Sequence, residues 1–149
     1  NGKHDTGKAV EDYKQNAMLM SALNRFADNM KTGKIDEGTT IANLLIDKHI
    51  NTDARMLNAV AWMLLNADDA QAEQFKVGHR AAATACEVTE WKDWSILDTY
   101  ALAASKNGMH DEAIKWQTKA IELVPAQNTE AKSELKSRLD DYEAAKDNG

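Results

Sequence analysis

The chain has 149 residues, 43% hydrophobic and 28% charged, with a formal net charge of −6, one proline and one cysteine. That length suits one domain with a core large enough to fold by itself. The acids and bases are interspersed without a Lys/Arg run, so no nucleic-acid partner is expected, and the longest apolar stretch, Ala59–Leu65, is far too short for membrane insertion.

Residues 1–8 (NGKHDTGK) read as a disordered leader. The opening Asn-Gly-Lys in place of Met reads as a processed or excised product, which leaves the compartment undetermined. From Ala9 to Met30, Tyr13, Ala17, Met20, Leu23, Phe26, Ala27 and Met30 recur at three- and four-residue steps, the pattern of one long amphipathic helix. Thr32-Gly33 ends it, because glycine accepts the left-handed cap conformation. Asp36-Glu37 favours the start of a second helix reaching about Ile50, since acids offset the dipole of a helix N-terminus.

Asn51-Thr52-Asp53 offers N-caps for a third helix carrying Leu57, Val60, Ala61, Leu64 and Leu65. Asn66–Glu73 is polar and predicts a loop, followed by a helix from about Gln74 to Val88. Glu90–Asp93 is a connection, and Ser95 with Asp98 approximates a capping box. That helix ends at Asn107-Gly108. The next covers Asp111–Val124 and stops at Pro125. Asn128 caps a last, more polar helix to about Lys146, with Leu135, Leu139 and Tyr142 on one side.

These elements repeat. Gly33 and Gly108 lie 75 residues apart, and Asp36-Glu37-Gly38 matches Asp111-Glu112-Ala113 at the same offset. Leu57–Ala61 matches Leu97–Ala101 at an offset of 40, and Ala85–Val88 matches Ala120–Leu123 at an offset of 35. Three hairpins, at about 9–50, 53–89 and 94–125, and a capping helix at about 128–146 therefore account for a single domain over 9–147. Gly38, Gly78 and Ala113 fall at equivalent places in the second helix of each hairpin, where a small side chain lets backbones approach.

Leu97, Tyr100, Ala101, Gly108, Ala113, Ala120 and Pro125 resemble the tetratricopeptide repeat, a 34-residue helix–turn–helix unit. Gln117 stands where that repeat usually has a large apolar residue. The resemblance implies an all-α, right-handed superhelix of three hairpins plus a C-terminal capping helix, with a ligand groove along the first helix of each hairpin. In that register Arg55, Asn58, Trp62 and Leu65 line the groove from the second hairpin. Ser95, Asp98, Leu102 and Lys106 continue it from the third. Asp98 would repel the peptide carboxylate that some family members clamp. The phrases LNAVAWMLL, WKDWSILDTYA and GMHDEAIKWQTKAIEL are also similar to helical-repeat tails on bacterial thioredoxin-like proteins, which points to export, although no Cys-x-x-Cys is present.

Chemistry-bearing patterns are sparse. Cys86 aligns with the core-facing Ile121 and reads as a small buried hydrophobe. His4, His49, His79 and His110 share no ligand spacing, and the paired acids lack the glycine and distal Glu of a calcium loop, so no metal or cofactor is expected. Thr6-Gly7-Lys8 lacks the rest of a phosphate loop. The sequence therefore predicts a non-catalytic module that binds a protein or peptide. The competing reading is a structural or dimerisation appendage that rigidifies or pairs a larger, thioredoxin-like exported protein, with a homodimer as its expected form.

Overall fold

Short connections with defined backbone chemistry set the architecture. The computed structural model describes residues 6–149. Among the described residues there are seven helices and no strand: α1 (Thr6–Lys31), α2 (Ile35–Lys48), α3 (Ala54–Leu65), α4 (Ala72–Val88), α5 (Trp94–Lys106), α6 (His110–Leu123) and α7 (Thr129–Asn148). The chain is all-α, as the periodicity predicts. Residues 6–8, expected in the leader, already belong to α1. The remainder of that leader lies outside the described residues.

Gly33 and Gly108 have φ of +80° and +75°. Each sits just past a helix end. The next residue donates back into the last turn, Lys34 N to Asn29 O at 2.8 Å and Met109 N to Ala104 O at 2.8 Å. This left-handed closure reverses the chain in three residues and folds α1 on α2 and α5 on α6. The end of α4 closes the same way without glycine. Glu90 and Trp91 take φ of +56° and +59°, and Trp91 N donates to Cys86 O at 2.8 Å. Non-glycine residues there carry strain of about 1 kcal/mol each. The Trp91 ring offsets it by packing edge-on to Tyr100 and against Trp116, with centroids 5.0 and 4.5 Å apart.

α1 packs on α2, α3 on α4, and α5 on α6; successive hairpins then meet through α2 with α3 and α4, and through α3 and α4 with α5. α7 packs on α6. Leu45, Ile50, Leu57, Leu64 and Leu97 are fully buried in one apolar cluster that continues to Leu135 of α7. At Gly78 a Cβ would sit 2.8 Å from Leu65 Cγ and 3.5 Å from Ala61 O, so the missing side chain brings α4 onto α3. At Gly38 a Cβ would meet the Met30 sulfur at 2.7 Å.

Two caps follow the sequence and one does not. Asp53 accepts from Met56 N and Asn128 from Ala131 N, as expected. The Ser95–Asp98 box does not form. Asp93 caps α5 instead, accepting from Ser95 N at 3.0 Å, Ile96 N at 3.3 Å and Ser95 Oγ at 2.7 Å. α4 starts two residues early because Gln71 and Gln74 form the reciprocal cap.

Candidate functional site

Trp62, the one aromatic residue of α3, is 40% exposed. Its ring borders a crevice of about 450 Å³ between α1 and α3, lined by Ala27, Met30, Lys31, Met63, Asn66 and Ala67 besides Trp62 itself. The α1 contribution was hidden in the sequence, where Ala27 and Met30 read simply as the packing face of their own helix. The crevice has apolar walls, with the Lys31 ammonium and the Asn66 amide as its polar groups, which suits an apolar side chain carried on a peptide.

The remaining expected groove residues divide. Arg55 is exposed and Asn58 half-buried, on the same side of α3 as Trp62. The Asn58 Oδ1 is buried without a hydrogen-bond partner among the described residues. Leu65 does not line the groove: it is 1% exposed and packs on Gly78. Ten residues at 100° each turn it about 80° away from Arg55, onto α4.

Asp98 is likewise not a groove residue. It is 7% exposed, and α7 covers it. Arg138 Nε donates to its Oδ1 at 2.9 Å and Nη2 to its Oδ2 at 2.8 Å, while Gln117 Nε2 donates to Oδ1 at 2.9 Å. Gln117 is itself fully buried and also donates to Leu135 O at 3.0 Å, so its amide nitrogen is used on both sides in the interior. Tyr142 packs nearby, its hydroxyl pushed up by burial and by the Asp98 charge. Ser95 is exposed, with its hydroxyl bound to Asp93. Leu102 is half-buried against the core, and Lys106 lies over the Phe75 ring of α4 at 5.6 Å.

The other aromatic groups pack together. Trp116 Nε1 donates to Glu112 at 3.0 Å, and His79 stacks obliquely on Tyr100 at 5.2 Å. Burial holds the His79 imidazole below its ordinary range, partly opposed by the Glu112 charge.

Cys86 is fully buried, its thiol pushed up to about 12 by burial and then by the Asp93 and Glu87 charges. A thiol so placed stays protonated and unreactive at neutral pH. Native protein is therefore expected to show no fast reaction with an aromatic disulfide reagent at pH 8, and one equivalent after unfolding. Stoichiometric labelling of the folded state within seconds would contradict this placement.

Among the described residues, no three His, Cys, Asp or Glu side chains come together as a metal site, and no helix is long and apolar enough to cross a membrane. No family model matches the chain, and no curated protein matches it.

Proposed function

We propose that the chain is a non-catalytic binding module of tetratricopeptide type, with three hairpins stacked as a right-handed superhelix, that takes an apolar peptide or helix into the Trp62 crevice. Consecutive hairpins packed in chain order, with close approaches at Gly38 and Gly78, support the architecture. The single observation that carries the binding role is the half-open Trp62 indole over an apolar crevice. An aromatic anchor beside a pocket is where binding energy concentrates.

The groove in this reading is shorter than the sequence predicts. It keeps Trp62 on α3, with Arg55 and Asn58 beyond the crevice on the same side of that helix, gains Ala27, Met30 and Lys31 on α1, and loses Leu65 and Asp98 to the core. Buried Cys86 argues against thiol chemistry.

Peptides selected from a random library on the immobilised chain, then titrated against wild type and Trp62→Ala, test the reading. The expected loss is about 30-fold in affinity, near 2 kcal/mol. Trp62 packs no core of its own, so the variant is expected to stay folded. Selected peptides that bind both proteins equally would overturn the assignment.

A further inference from the structure

The first turns of α1 stand clear of the rest of the molecule. α1 has 26 residues and its hairpin partner α2 only 14, so at about 1.5 Å per residue roughly 18 Å of α1 extends past α2. Val10 is 53% exposed, Tyr13 75% and Met20 51%. A helical stretch this short draws its stability from packing an amphipathic face, not from propensity alone. Val10, Tyr13, Ala17, Met20 and Ala27 follow one another at steps of three, four, three and seven residues, the spacing of a helix–helix seam. The seam runs along α1 directly into the crevice, because Ala27 is one of its walls.

Resting on the binding role of that crevice, we propose that its occupant is the projecting half of α1 from a second copy of the chain, in a reciprocal antiparallel pair. The charges favour this arrangement. Lys14 and Asp28 are exposed, and neither belongs to an ion pair among the described residues. The antiparallel register that places Tyr13 opposite Met30 of the second copy also places Lys14 within one residue of that copy's Asp28. Two-fold symmetry repeats the contact, giving two Lys–Asp pairs and two tyrosines seated against Met30 and Trp62. A parallel pair would instead leave Lys14 and Asp28 of the two copies about 21 Å apart along the axis, too far to pair. The arm and the crevice are thus complementary in both apolar character and charge, and each copy carries both.

Sedimentation equilibrium of the full chain from about 1 to 200 µM, the span that reveals micromolar self-association, tests the pairing. The mass is expected to rise from 16.5 kDa to twice that value. Tyr13→Glu, at a side chain 75% exposed on the projecting turns, is expected to abolish the rise with the helical circular dichroism unchanged. Lys14→Glu or Asp28→Lys alone is expected to weaken association about tenfold through two like-charge contacts, and the two together to restore it. A single-copy mass throughout overturns the pairing, as does a dimer indifferent to Tyr13→Glu or a double variant as weak as the singles. The failures separate. A monomer that still binds a selected peptide through Trp62 overturns the pairing and leaves the binding role standing. A dimer that ignores Trp62→Ala, together with selected peptides that bind both proteins equally, overturns both.

Discussion

Arg138→Ala is expected to lower the unfolding free energy by about 3 kcal/mol, the scale for stranding one member of a largely buried ion pair. Asp98 is 7% exposed and its carboxylate receives both Arg138 bonds and the Gln117 amide. Without the guanidinium, the amide alone faces a full negative charge in the interior. The converse variant, Asp98→Ala, costs less. The Arg138 side chain is 29% exposed and can turn its charge to water. Replacing both with apolar residues of similar volume costs less again, because no charge is left inside. Urea denaturation of the three variants gives the order directly. A loss under about 0.5 kcal/mol for Arg138→Ala would show that the clamp does not hold α7, whose own buried anchors are Leu135 and Tyr142.

Gly78→Leu is expected to cost about 3 kcal/mol, at the upper end for overpacking a close-packed site. The new Cβ falls 2.8 Å from Leu65 Cγ, and Leu65 is itself fully enclosed, so α4 must move off α3. Gly78→Ala sets two effects against each other. Helix propensity gains about 1 kcal/mol while the clash loses 1–3 kcal/mol, so a net loss of about 1 kcal/mol is expected. At Gly38 the obstacle is the thioether of Met30, which is partly exposed and can swing aside. Gly38→Ala is therefore expected to be neutral or stabilising. Denaturation midpoints of the alanine pair check the contrast, and equal effects would contradict the close approach of α3 and α4.

Helix existence and order were legible because periodicity, glycine ends and Asx caps agree along most of the chain. What escaped depended on tertiary partners. The end of α4 closes on Glu90 in a left-handed conformation usually left to glycine, and only the Trp91 packing across to Tyr100 and Trp116 makes this tolerable. Asp98 read as a groove acid because its spacing suits that face. Its burial follows from Arg138, 40 residues away, and local pattern cannot supply that contact. Leu65 was misplaced because three helical turns accumulate rotation. The register alone places Trp62 on the open side of α3, where its ring is 40% exposed. The other wall of its crevice comes from α1, through an interhelix gap that no spacing rule encodes.

In the proposed binding role, ligands enter at Trp62 and not at the packed aromatic cluster. The indole N–H resonances of ¹⁵N-labelled protein report each tryptophan separately, with Trp62 assigned through Trp62→Phe. On titration with a selected peptide, or on concentration through self-association, the Trp62 resonance is expected to shift most. The Trp116 resonance, held by Glu112, is expected to stay in place. Saturation that moves Trp116 and Trp91 while leaving Trp62 unmoved would contradict the account.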